Sequence, residues 1–246
     1  RIYEANPRED SQIKAEGAIS SSMQSFKRAL RTHNPTHCLW TFDPPGRSTW
    51  RHALHEGYKK DRSPMPTVLR NEINALSVRL QDNNWSVIED PRLESDDTSG
   101  SCAVIARSMG MDATVLTTDK DSVVLVDSGV VVYDHFADIN RDSAWCQAKF
   151  GVSPAQMTDF LALTGDPTDG IPGVPKIGAK TAAKLLNTIG DFQTILDRAA
   201  EIPGIAGRNL IEFREQALLS RKLVQLDLDC LKGRIQPKEC KIGTLY

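Results

Sequence analysis

Apolar positions recur along this chain with two periods, and their alternation outlines a fold. Over residues 12–33, Ile19, Met23, Phe26, Ala29 and Leu30 fall at helical spacing. Residues 37–42 (HCLWTF) form a short apolar run that reads as a buried strand ending at Asp43. The stretch 44–66 is rich in Pro, Gly and Ser and reads as a loop or mobile arch. A helix over 65–82 and a strand over 85–89 follow, and then a helix that opens on ESDD (94–97) and runs to about 109. A strand over 113–118 ends at Asp119, and short strands are predicted at 122–126 and 130–135. From 141 the pattern turns helical, over 141–150, 153–164, 178–189, 191–200 and 207–226, with IPGV, TIGD and IPGIAG as turns. This order predicts an α/β fold, a mostly parallel sheet flanked by helices, followed by a helical region. The expected domains are 1–150 and 151–246. There is no tandem repeat, although IPGIAG (202–207) loosely echoes IPGVPKIG (171–178).

Composition narrows the class. With 246 residues, 40% apolar and 25% charged, the chain has ordinary globular proportions. No apolar run is long enough to span a bilayer, and no signal peptide is visible. The chain opens on Arg1 rather than Met, so residues are expected upstream. The five cysteines are odd in number and scattered, without C-x-x-C. They predict reduced thiols in a cytoplasmic protein, with Cys38 and Cys102 as small buried hydrophobes. Trp40, Trp85 and Phe160 read as core. A net charge of −2 argues weakly against nucleic-acid binding. The distribution argues the other way, because the acids are concentrated at a few points and leave the remainder net basic.

Those points are Asp43, Glu94, Asp96, Asp97, Asp119, Asp121, Asp166 and Asp169, all at predicted strand ends or turns. Taken singly each has an ordinary explanation: Asp97 a first-turn acid on the helix dipole, Asp43 a turn former before Pro44, Asp121 a solvated loop charge. Together, E-x-D-D, T-D-K-D and G-D-x-x-D lie on elements predicted to converge, since separate strands of a parallel sheet deliver side chains to one rim. Crowded carboxylates raise one another's pKa values and call for cations. Mg²⁺ suits such a rim, because it takes oxygen ligands and leaves positions for substrate phosphate. A pair of ions can serve phosphodiester hydrolysis.

Basic and turn residues extend the picture. Arg47, Arg51, Lys59, Lys60 and Arg62 face only Glu56 and Asp61 in the arch stretch. They suit clamping a single strand, with Tyr58 stacking on a base and Arg51 and Lys59 stabilising charge on the scissile phosphate. His52 and His55 are poor ligands amid hard oxygen donors. In GDPTDGIPGVPKIGAKTAAKLL (165–186), Gly178 opens a helix whose free amides can meet phosphate, with Lys176, Lys180 and Thr181 beside it.

ESDD (94–97), TTDKD (117–121) and the 165–186 stretch resemble the bacterial 5′-nuclease, or flap endonuclease, family. That family includes the 5′-nuclease domain of bacterial DNA polymerase I and the stand-alone Xni type (exonuclease nine). Chain length and WRHALHEGYKKDRSPMP (50–66) look most like the Xni type. The resemblance implies a PIN-like nuclease domain, then a helix-hairpin-helix region that grips duplex DNA. Asp43, Glu94, Asp96, Asp97, Asp119 and Asp121 would be active-site acids, with Asp96 the direct Mg²⁺ ligand. Asp166 and Asp169, which some Xni members lack, would hold a second ion. The resemblance also implies a K⁺ held by the main-chain carbonyls of Leu163, Thr164, Pro172, Val174 and Ile177. The expected partner is DNA at a 5′ flap or junction, bound by a monomer. One departure stands: the family opens with a strand bearing an Asp in a D-G-x-N-type motif, and this sequence begins RIYEANP without it. Two alternatives stay open, a junction-binding protein without catalysis and a haloacid-dehalogenase-type phosphatase. For the latter no D-x-D nucleophile stands in the usual context.

Overall fold

A computed structural model describes residues 2–5, 11–46 and 48–244, so Arg47 lies outside the described residues. Its elements in chain order are α1 (Ile2–Ala5), α2 (Ser11–His33), β1 (Leu39–Phe42), α3 (Trp50–Leu54), α4 (Thr67–Asp82), β2 (Ser86–Glu89) and α5 (Ser95–Ser108). They continue with β3 (Thr114–Leu116), a 3₁₀ helix (Asp121–Ser128), β4 (Val131–Asp134), β5 (Ile139–Asn140), α6 (Ser143–Phe150) and α7 (Met157–Thr164). The last helices are α8 (Ala179–Thr188), α9 (Phe192–Asp197), α10 (Gly204–Glu212) and α11 (Arg214–Val224). No helix among the described residues is long and apolar enough to cross a membrane. All five cysteines are free.

The chain gathers into two compact units. The first comprises Arg1–Phe42, Ser63–Glu89 and Gln236–Tyr246, the second Asp43–Arg62 and Asp90–Ile235. In the first, β1 and β2 pair in parallel, with Leu39 opposite Ser86 and Phe42 opposite Glu89. Helices α2 and α4 bury Ile19, Met23, Leu76 and Leu80 around Trp85, and Phe26 sits 4.2 Å from the Trp40 ring and 5.3 Å from Trp85. The amphipathic spacing read from residues 12–33 is the spacing that forms this cluster.

In the second unit β3 and β4 pair in parallel and β5 adds an antiparallel edge. Val115, Val130 and Val132 pack with Leu125 and Ala103 of α5. The larger core is helical. Every residue from Phe160 to Leu163 of α7 is buried, and α7 packs along α11. Helix boundaries follow local chemistry: Asp142 caps Trp145 N at 2.8 Å to start α6, and Gly151 ends it at φ 73°.

Three expectations change. The stretch 122–126 is no strand but part of the 3₁₀ helix. Asp119 Oδ1 accepts from Asp121 N at 3.0 Å, so a side-chain turn starts a helical path, and a short apolar run cannot by itself separate strand from helix. The helix expected over 207–226 is two, α10 and α11, broken at Phe213. At that break the Arg214 guanidinium is held by Leu196 O and Asp197, both at 2.8 Å. The 44–66 stretch is not wholly loop, since it carries α3.

Asp134 ends β4 nearly fully buried and accepts from Arg141 Nη2 at 2.5 Å and from the Phe136 and Ala137 amides at 3.1 Å. Burial pushes its pKa up, but the Ala137 amide and Arg141 outweigh it and hold the carboxyl below the usual range. A carboxylate with a depressed native pKa stabilises the fold fully above its unfolded value and loses that contribution as pH falls through the native one. Asp134→Asn should therefore cost about 3–5 kcal/mol at pH 7, as expected when one partner of a buried pair is removed. The gap from wild type should narrow steadily below about pH 4. Urea denaturation of both proteins across pH 3–7 checks this, and a gap that does not change with pH overturns it.

Candidate active site

The predicted acids meet in the second unit. The first turn of α5 supplies Asp96, and Asp43 lies alongside, its Oδ1 accepting from the Ser95 amide at 2.8 Å. Asp119 and Asp121 come from the turn after β3. Asp166 and Asp169 come from the turn after α7. The groups feel one another electrostatically. Burial first, then the charges of Asp119 and Asp43, push the Asp96 carboxyl up to about 7, while Lys59 pulls it down. Burial and Asp119 push Asp121 up to about 6, against the pull of Lys120. A cavity of about 370 Å³ opens beside them, with Asp119, Lys120, Asp166, Asp169 and Arg62 on its polar side and Phe150, Phe160 and Leu161 on the other.

Basic side chains divide this rim in two. Lys120 Nζ donates to Asp166 Oδ2 at 2.5 Å and lies 3.1 Å from Asp121 Oδ1. The latter is an ion pair, and that Asp121 oxygen is buried without a hydrogen-bond partner. Burial would raise the Asp166 pKa, but Lys120 holds it low. Arg62 pairs with Asp169, and Lys59 Nζ lies 3.9 Å from the same carboxylate. Among the described residues no lysine or arginine pairs with Asp96 or Asp119.

Four assigned roles need correction, those of Arg51, Asp97, Tyr58 and Glu94, the last buried and held by Arg51, Tyr58 and Lys59. Arg51 does not face substrate. It is 2% exposed, with Nη1 and Nη2 on Asp97 at 2.6 and 2.8 Å and on Glu94 at 3.2 Å. Its remaining donors reach the carbonyls of Leu223 at 2.7 Å and Gln225 at 2.8 Å. Asp97, fully buried, is saturated by Arg51, the Trp50 indole at 3.3 Å and the Asp227 amide at 2.9 Å, so it has no oxygen left for an ion. Tyr58 is 3% exposed and donates to Glu94 Oε2 at 2.9 Å, which leaves no ring face for a base. The polar character of these residues made them look like site groups; their burial depends on distant parts of the chain. Glu94 also accepts from Lys59 Nζ at 2.7 Å, which aims that ammonium at the rim. Lys59 sits at φ 50°, a left-handed conformation, with its amide on Asp169 O at 2.8 Å. One group at the rim had been given no role, Lys120, and Arg62, read as part of a strand-clamping loop, pairs with Asp169 instead. For Lys120 the signal was present in sequence, as a lysine directly between two acids.

The hairpin between α7 and α8 is built on a backbone crossing. Asp166 and Ile171 exchange two hydrogen bonds of 2.9 Å, and Val174 N donates to Leu163 O at 2.8 Å. Gly165 and Gly173 have φ 73° and 62°, and a Cβ on either would meet the other's strand of the hairpin at 2.6 Å or less. Ser220, Gln216 and Asn209 tie its backbone to α11 and α10. Lys176, at φ 63°, Gly178 and Lys180 stand exposed at its outer end, with Thr181 half-buried behind them.

No three His, Cys, Asp or Glu side chains among the described residues stand ready to hold one ion. The donor set nevertheless fits a hard divalent cation. Mg²⁺ needs only one or two carboxylates with water, and the crowding that raises Asp96 and Asp121 is what a cation relieves. A K⁺ fits the hairpin less directly, since the Leu163 and Val174 carbonyls each already accept an amide.

Comparison with known proteins agrees with this reading of the fold. Residues 1–151 match the family described as "5'-3' exonuclease, N-terminal resolvase-like domain", and residues 152–245 match "5'-3' exonuclease, C-terminal SAM fold". The chain belongs to the 5′-3′ exonuclease family. It is 33% identical to Flap endonuclease Xni of Colwellia psychrerythraea over 248 residues, covering 95% of this chain and 85% of that protein. It is 38% identical to DNA polymerase I of Rhizobium leguminosarum over 221 residues, covering 87% of this chain and 22% of that one. Among solved structures, T5 D15 protein co-crystallised with metal ions superposes with a TM-score of 0.74 at 20% identity, covering 86% of this chain and 84% of that one. The resolvase-like domain with a SAM-like helical region is the α/β plus helical class expected from the sequence.

Because Arg51 neutralises Asp97 where water cannot, Arg51→Met should lower unfolding stability by about 3–5 kcal/mol at pH 7. Denaturant titration followed by circular dichroism measures it. A loss under about 1 kcal/mol would show that the pair does not hold this region together.

Proposed function

We propose that this protein is a structure-specific 5′ nuclease, hydrolysing DNA phosphodiesters at single-strand/duplex junctions with Mg²⁺. The reading rests on one observation above all: Asp43, Asp96 and Asp119, from three separate segments, crowd together, and among the described residues no lysine or arginine pairs with Asp96 or Asp119. When bound, a divalent ion supplies a nucleophilic water at neutral pH and offsets charge on the leaving oxygen. Asp96, Asp119 and Asp121 would hold it, and Asp166 and Asp169 a second. Lys59, held by Glu94 and one-fifth exposed, would offset charge on the scissile phosphate. Asp43 buttresses the α5 N-terminus through the Ser95 amide. Residues 151–246 would grip duplex through Lys176, Gly178, Lys180 and Thr181 at the hairpin, a sequence-independent contact that a K⁺ on the hairpin carbonyls would reinforce. Residues 1–150 would carry the chemistry. We place the protein in the cytoplasm, acting as a monomer. Two solved neighbours support the nucleic-acid reading: a T5 D15 flap endonuclease variant in complex with DNA and metal ions, and the catalytic core of Rad2 in complex with DNA substrate.

The alternative, a junction-binding protein without turnover, draws on the internal cations already seated on Asp166 and Asp169. A labelled 5′-flap duplex distinguishes the two. The full-length protein should cleave it in Mg²⁺ and bind without cleaving in EDTA. Asp96→Asn and Asp119→Asn should each lose at least about 100-fold in rate while retaining flap binding. Binding without cleavage in Mg²⁺ by folded wild type overturns the catalytic reading. Lys176→Ala and Lys180→Ala should each weaken binding to every sequence alike and lower the salt slope by about 1. A salt titration by fluorescence anisotropy reads that slope, and an unchanged slope removes the hairpin from the interface.

A further inference from the structure

We propose that Lys120 is a built-in counter-ion, seated where the second divalent ion would bind, and that it sets how tightly that ion is taken. The inference rests on the metal-dependent reading above. Lys120 Nζ lies between Asp166 Oδ2, at 2.5 Å, and Asp121 Oδ1, at 3.1 Å, on the wall of the rim cavity. Asp121 and Asp166 would otherwise face each other as two like charges. An ammonium and a hard divalent ion want the same carboxylate oxygens, and both cannot occupy them at contact distance. The lysine stem is long and flexible, and its side chain is one-third exposed, so the head can swing into solvent when displaced. The Asp96/Asp119 side of the rim has no such competitor among the described residues.

The consequence is an asymmetric site. One ion binds to acids that are already waiting for charge. The other must displace Lys120 from Asp166 and Arg62 from Asp169, so it binds more weakly and is favoured once substrate phosphate adds negative charge. Lys120 also gives the metal-free protein a way to hold Asp166 and Asp121 together. It is a positioning residue, acting on the acids rather than on the substrate.

Mn²⁺ binding to the DNA-free protein tests this, with free Mn²⁺ read by electron paramagnetic resonance. Wild type should bind one ion more tightly than a second. Lys120→Met and Lys120→Gln should tighten the second by about tenfold, and the first, which meets Lys120 only through Asp121, by clearly less. Lys120→Arg, which keeps the charge, should retain the wild-type pattern. Circular dichroism confirms folding of each variant, and the two neutral variants guard against one failing to fold. If wild type binds Mn²⁺ but both folded neutral variants bind the second ion equally or less tightly, the counter-ion role is overturned. If no protein binds Mn²⁺, the metal-dependent reading fails, and the inference with it.

Discussion

The buried guanidinium of Arg51 is the interaction on which the site depends. Its fork meets both oxygens of Asp97, one of Glu94, and the carbonyls of Leu223 and Gln225. It thereby joins the short helix α3, the first turn of α5 and the end of α11. Such a charge is tolerated inside a protein only when its donors are all used and its partners leave no charge uncompensated. That requirement fixes the α5 N-terminus and so fixes where Asp96, one residue before Asp97, stands.

Charge compensation then sorts the remaining acids. Glu94 and Asp97 are spent on structure. Asp121, Asp166 and Asp169 are met by Lys120, Arg62 and Lys59. Asp96 and Asp119 have no such partner among the described residues, and Asp96 is held up to about 7. The motifs E-x-D-D, T-D-K-D and G-D-x-x-D therefore do not contribute equal groups. Each supplies at least one acid to the proposed site, and the first also supplies two, Glu94 and Asp97, to the frame.

The helix-hairpin-helix is a second, separate constraint. Gly165 and Gly173 let the two halves of the turn cross at backbone distance, and α10 and α11 hold the crossing with Asn209, Gln216 and Ser220. The same turn carries Asp166 and Asp169 at one end and the exposed lysines Lys176 and Lys180 at the other. Its amides and basic side chains face outward because its core face, Ile171, Val174 and Ile177, is buried.

Much of this was legible in the order of residues. Helical spacing marked α2, α5 and α7, and the apolar runs around Trp40 and Val115 marked β1 and β3. The three acidic motifs marked the rim, although ESDD and TTDKD follow strands of two different sheets and Asp166 and Asp169 follow a helix. Elsewhere local pattern ran out. Residues 122–126 read as a strand, and only the Asp119 side chain, accepting from the Asp121 amide, shows the chain turning into a 3₁₀ helix. Arg51, Tyr58 and Asp97 read as exposed site groups because nothing local shows a guanidinium meeting carbonyls more than 170 residues further along. The sequence by itself determined most of the helices and strands and which acids gather. Only the tertiary structure decided which of those acids are already neutralised, because burial and ion pairing depend on which distant segments pack against each group.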